Sequence, residues 1–167
     1  LALLAAAAEP VLDPLWMPIA AGMALLALAS LLRPIEPAPG EKFTLAGAVT
    51  FFAALTLPAP YAVVAMSTAA LTAKAMQRAS VVSTTVNVAK VAGAVGAASL
   101  VAGIARETSL AAVVVSGTVY VGVTLFSVGT MVAASQGTRA VRPFLAREWL
   151  PTVALAGLGG VGAILWS

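Results

Sequence analysis

The run FTLAGAVTFFAALTLPAPYAVVAMSTAALTA, residues 43–73, contains no charged side chain. At about 1.5 Å of rise per residue it would make one helix of roughly 46 Å, well beyond a bilayer core of about 30 Å. The tripeptide Pro58-Ala59-Pro60 divides it. Proline lacks a backbone donor and disfavours helical geometry at the residue before it, so the tripeptide reads as a turn between two antiparallel helices, residues 43–57 and 61–75. Each arm is short, about 22 Å, so the turn is expected to lie below the headgroups or the bilayer to thin around it.

Working outward, stretches of helical length with at most one charged residue define four more spans. Residues 15–32 lie between Asp13-Pro14 and Arg33-Pro34, and residues 86–105 end at the corner Arg106-Glu107-Thr108-Ser109. Residues 110–134 are long enough to cross with tilt. A polar connector over 136–148, with Gly137, Arg139, Arg142, Pro143 and Arg147, leads into the last span, 150–166. Residues 74–90 are mixed, their first half reading as an interfacial helix or turn. Residues 1–8 are apolar and lack the cationic start of a signal peptide. The expected fold is an all-α polytopic transmembrane bundle, one integral membrane domain over residues 1–167 with about six full spans plus a partial N-terminal helix. Both ends look cut, so a further helix is expected before residue 1 and another after residue 167.

Composition supports a lipid environment. Apolar residues make up 61% of the 167 and charged ones 9%, whereas a soluble domain carries about a quarter charged residues. With no His and no Cys, the chain cannot supply imidazole to zinc or haem, thiolate to an iron–sulfur cluster, a His-assisted nucleophile or a disulfide. The six carboxylates are scattered singly, which argues against a hard-oxygen metal site. Neither catalytic residues nor a cofactor is expected. The net charge of +3 forms no basic stripe for nucleic acid, and its better use is topology.

Alternating spans assign Arg33, Lys42, Lys74, Arg78, Lys90, Arg139, Arg142 and Arg147 to one side and Arg106 alone to the other. By the positive-inside rule the richer side is cytoplasmic, which puts Glu9, Asp13, the Pro58 turn, Arg106 and Ser167 outside. Trp16, Trp149 and Trp166 fall at predicted span ends, as membrane-interface anchors do.

Within the spans, Gly93, Gly96, Gly103, Gly117, Gly122, Gly129, Gly157, Gly159, Gly160 and Gly162 permit close backbone approach. Tight packing inside one bundle is the preferred reading of them, ahead of a dimerisation face. Ser83, Asn87 and Lys90 share a helical face by their spacings of four and three. A buried amide and ammonium mark a candidate ligand pocket or ion path. The plainer reading has Lys90 snorkelling to the headgroups and Asn87 cross-linking helices. Tyr120 needs a partner for its phenol deep in a span, and with Thr124 it completes the candidate polar pocket of Asn87, Lys90, Ser83, Tyr120 and Thr124.

The order of features resembles a known family. An apolar hairpin turned at Leu57-Pro58-Ala59-Pro60 is followed by a basic stretch and an Asn-bearing helix entry, Thr85-Val86-Asn87-Val88-Ala89-Lys90. Then come the Val-Tyr span Thr118-Val119-Tyr120-Val121 and the Arg147-Glu148-Trp149-Leu150-Pro151 re-entry. Over about residues 33–167 this is similar to the multi-span N-terminal membrane domain of bacterial signalling proteins with a cytoplasmic HD-GYP or GGDEF output domain. The resemblance implies a non-catalytic sensory or anchoring module in a bacterial inner membrane. In it Asn87 takes the place of a recurrent helix-entry Asn, and Trp149 with Pro151 that of the re-entry motif. Lys90 departs from the family by standing where a neutral amide is more usual. The layout also looks like the substrate-binding component of energy-coupling-factor vitamin transporters, although the outer side offers few polar or aromatic groups to hold a vitamin. A structural accessory subunit of a large membrane complex is the third class. The expected partners are the lipid bilayer with other membrane subunits, a cytoplasmic output domain or a second copy of the chain, and not nucleic acid.

Overall fold

The computed structural model describes residues 13–38, 41–105 and 109–166. Six α-helices lie among them: α1 Trp16–Leu32, α2 Ala46–Thr56, α3 Ala59–Met76, α4 Val81–Ala105, α5 Leu110–Gln136 and α6 Val141–Trp166. The α1–α2 connection is a short antiparallel ribbon of β1 Ile35–Ala38 and β2 Glu41–Phe43, with Ile35 opposite Phe43 and Ala38 opposite Glu41. The prolines here favour extended backbone at the residues before them. The partial helix expected over residues 1–8 lies outside the described residues, as does Arg106.

Among the described residues there are six helices but not six full spans. Three segments there are long and apolar enough to cross a membrane, Val81–Ile104, Leu110–Gln136 and Thr138–Trp166, and they mark the chain as a membrane protein. Helices α1 and α2 are apolar but shorter, and α3 mixes Ser67, Thr68, Thr72 and Lys74 into its 18 residues. With 11 residues, α2 reaches only about 16 Å, roughly half a bilayer core.

That short helix is the centre of the bundle. It touches all five others, while α1, α3, α4, α5 and α6 each pack on the next around it. Its side chains are correspondingly hidden: Phe51 is 1% exposed, and Ala53 and Ala54 are equally buried. Helix α3 presents Ala62, Ala65, Met66, Ala69, Ala70 and Ala73 to its neighbours. Their spacing of three and one repeats along a single face, and alanine lets helices approach closely. The Ser99 hydroxyl donates to the Ala54 carbonyl at 2.9 Å, tying α4 to α2. Outward faces carry Val114, Val115 and Phe126 on α5, and Leu158, Val161 and Leu165 on α6, all exposed. Apolar side chains facing outward suit lipid rather than water.

The turns follow local chemistry. Leu57 and Pro58 are extended between α2 and α3, and Pro60 lies in the first turn of α3, where its missing donor costs nothing. The Ser80 hydroxyl accepts from the Ser83 amide at the start of α4, and the Ser109 hydroxyl from Ala112 at the start of α5. Gly137 has φ +86°, a geometry that favours glycine, and it ends α5 abruptly. The polar connector expected over 136–148 is therefore much shorter. A single 3-10 turn, Thr138–Ala140, follows Gly137, and α6 begins at Val141. Pro143 lies in the first turn of α6, and Pro151 sits inside the helix without ending it. Helix α4 likewise starts at Val81, five residues ahead of the expected 86.

Two hydrogen bonds identify the ends of the bundle. Gln77 Nε2, past the end of α3, donates to the Leu31 carbonyl in the last turn of α1, and the Tyr61 hydroxyl at the start of α3 donates to the Asp13 carbonyl before α1. At the far end of α2, the Phe52 ring meets Trp166 edge-on, with centroids 6.3 Å apart. Trp16 and Trp166 thus sit at helix ends, whereas Trp149 lies about two turns inside α6 because that helix starts early.

Candidate functional site

Around the N-terminus of α2 the bundle opens into a cavity of about 260 Å³, to which all six helices contribute. The cause is α2's short length. Its first residues, Ala46 and Gly47, begin at the cavity, and the surrounding helices continue past them. Helix α4 supplies Asn87, Lys90, Val91 and Ala94, spaced along one face. Phe144, Glu148, Thr152 and Leu155 of α6 recur at four, four and three residues and also share one face. Helix α5 contributes Tyr120, Thr124 and Val128.

Of the residues singled out from the sequence, Asn87, Lys90, Tyr120 and Thr124 line this one cavity. Ser83 does not: it is exposed in the first turn of α4, where its amide meets the Ser80 hydroxyl. Tyr120 is buried, and its hydroxyl donates to the Gly47 carbonyl at 3.4 Å beside the Thr50 hydroxyl. Its ring tilts against Phe51 at 5.2 Å between centroids. Tyr120 therefore fixes the N-terminal turn of α2 against α5. Thr124 and Thr152 add hydroxyls to the lining, and that of Thr152 donates to the Glu148 carbonyl at 2.7 Å.

Sequence reasoning missed Glu148, Thr50 and the α2 N-terminus. Glu148 falls in the connector expected over 136–148; in the structure it lies on a helical face that reaches the cavity. It is close enough to Lys90 to act on its charge, as is Lys74. Among the described residues no direct ion pair joins Lys90 to Glu148. The signal that could have found Glu148 is the i, i+4 series Phe144, Glu148, Thr152 with Leu155 following.

The cavity lies at the bundle end where α1, α3 and α5 finish and α2, α4 and α6 begin. Arg33, Lys74, Arg78, Arg139 and Arg142 occupy those same helix ends and turns, and Arg147 lies between one and two turns into α6. At the N-terminus of α2, the first backbone amides have no partner within the helix, and Leu45 makes no side-chain cap. The site thus combines one ammonium, one carboxylate, an amide, several hydroxyls and a helix dipole end within apolar walls. Among the described residues no three of Asp, Glu, His and Cys come together to hold a metal ion.

The face of α2 turned toward α6 is closed. A Cβ added to Gly159 would collide with the Ala48 carbonyl oxygen and crowd the Phe52 amide, and one added to Gly160 would strike Val113. These glycines let α6 lie directly on α2. By contrast, Gly103, Gly122 and Gly157 face open space.

Comparison with protein-family models, with curated proteins and with solved structures gives no match to this chain.

Proposed function

We propose that this chain is a non-catalytic integral membrane module that serves as a sensory or anchoring domain of a bacterial signalling protein. The observation that carries the reading is the cavity under α2, where six helices converge on Lys90, Asn87, Glu148 and Tyr120. Occupying such a cavity would bias how six helices pack, and helix packing is what a membrane sensor transmits. The cationic helix ends around its mouth support a cytoplasmic orientation for that end in a bacterial inner membrane. A transporter component of the vitamin-binding kind needs its pocket at the outer side, and the cavity's position among the cationic ends favours the sensor reading over it.

The test is the reading frame and its output. The encoding frame is expected to continue into a cytoplasmic enzymatic domain, and Asn87→Leu to change that domain's activity in membranes at least severalfold while the protein still inserts. Lys90→Ala is expected to insert normally. A frame without an output domain, with the chain recovered in fixed stoichiometry with other membrane subunits, would replace this reading by the accessory one.

A further inference from the structure

The cavity holds two opposite charges that are not joined. Lys90 on α4 and Glu148 on α6 both line it, and Glu148 is near enough to act on the ammonium. The cavity wall also includes the α2 N-terminus, with Gly47 in the lining and its first-turn amides lacking helical partners. A helix N-terminus together with an ammonium favours an anionic group such as a carboxylate. Glu148 disfavours a second negative charge and accepts from a donor such as an ammonium. The remaining wall is apolar, with Met66, Val128, Phe144 and Leu155. At about 260 Å³ the cavity lies just below the about 300–1,000 Å³ of pockets for drug-sized ligands, which suits a small metabolite.

We infer that the cavity binds a small zwitterion with an apolar side chain, an α-amino acid of about the size of leucine. Its carboxylate meets Lys90 and the amides at the start of α2, its ammonium meets Glu148, and its side chain lies against the apolar wall. The Asn87 amide has both a donor and an acceptor to offer between the two charged groups. This inference rests on the cavity being the ligand-reading site proposed above.

The test is equilibrium dialysis of labelled L-leucine against the purified chain in detergent, with two analogues as competitors. 4-Methylpentanoate lacks the amino group, and 3-methylbutylamine lacks the carboxylate. Leucine is expected to bind saturably with one site per chain, and each analogue at least tenfold more weakly. In Lys90→Met the preference for leucine over 3-methylbutylamine should shrink severalfold, the α2 amides remaining, and in Glu148→Gln leucine and 4-methylpentanoate should bind alike. Absence of saturable leucine binding by the folded wild-type chain overturns the inference, as does equal affinity for all three compounds. Tighter binding of glycerophosphoethanolamine, displacing leucine, would assign the cavity to a zwitterionic lipid headgroup and also overturn it. The outcomes separate from those of the sensor reading. Leucine binding with output unmoved by Asn87→Leu would keep this inference and remove the sensor; output that responds without leucine binding would do the reverse.

Discussion

Two faces of α2 meet their surroundings in opposite ways. On one, Ala46, Gly47 and Thr50 line a cavity whose other walls carry Tyr120, Asn87, Lys90 and Glu148. On the other, Phe51 and Phe52 press on α6 at Gly160 and Gly162, and Ala48 on Gly159, leaving no room for a single added carbon at Gly159. The same helices produce both, so the difference lies in side-chain size and register. Glycine opposite an aromatic ring closes the interface, whereas a helix that stops short leaves polar groups around a void. One face holds the bundle together and the other is free to bind.

The first way to break that comparison is to empty the closed face. Phe51→Ala removes a ring that is 1% exposed and is expected to cost about 3–5 kcal/mol, read as a fall in the unfolding midpoint in detergent. A loss below about 1 kcal/mol would mean that α2 is not the packed centre. Next in size is Gly159→Ala, where the new methyl meets backbone atoms that cannot rotate away, so about 1–3 kcal/mol is expected. Gly157→Ala, facing open space on the same helix, should instead be neutral or stabilising by up to about 1 kcal/mol. Equal losses at the two glycines would remove the α2–α6 close approach from the account.

Smaller effects sharpen the boundary between the faces. Tyr120→Phe keeps the ring on Phe51 but deletes the bond to the Gly47 carbonyl, and about 0.5–1.5 kcal/mol of stability is expected to go with it. Smallest is Ser83→Ala, which should stay within about 0.5 kcal/mol of wild type and leave leucine binding unchanged, since Ser83 is exposed outside the cavity. Weakened binding in this variant would return Ser83 to the site.

Much of the helix order is legible in the sequence because breakers are chemically loud. Pro58 and Pro60 divide α2 from α3, Ser109 starts α5, and Arg33-Pro34 closes α1 where the charges and prolines indicate. The central position of α2 is not legible. An uncharged run such as AGAVTFFAALT satisfies burial among helices as well as burial in lipid, since both environments are apolar. Its shortness shows only once the ribbon before it and the extended Leu57 after it are placed. The start of α6 is hidden for the opposite reason. Arg142, Pro143, Arg147 and Glu148 look like a loop, yet proline is tolerated in a first turn, and the cations sit where a helix end meets the interface. Misplacing that boundary moved Glu148 out of the candidate site and Trp149 to a helix end. Asn87, Lys90, Tyr120 and Thr124 were readable individually, as polar groups in apolar helices. Their meeting depends on the stagger of α2, which no local pattern encodes.

The central claim is that a lipid-embedded bundle gathers its cationic helix ends, and the cavity between them, on one membrane face. Because the chain has no cysteine, single cysteines can be introduced into the native background at Gln77, Thr138, Pro60 and Leu110 and probed on intact cells with a membrane-impermeant maleimide. The account predicts that Pro60→Cys and Leu110→Cys label from outside, while Gln77→Cys and Thr138→Cys label only after permeabilisation. Labelling of Gln77→Cys and Thr138→Cys from opposite faces would contradict it.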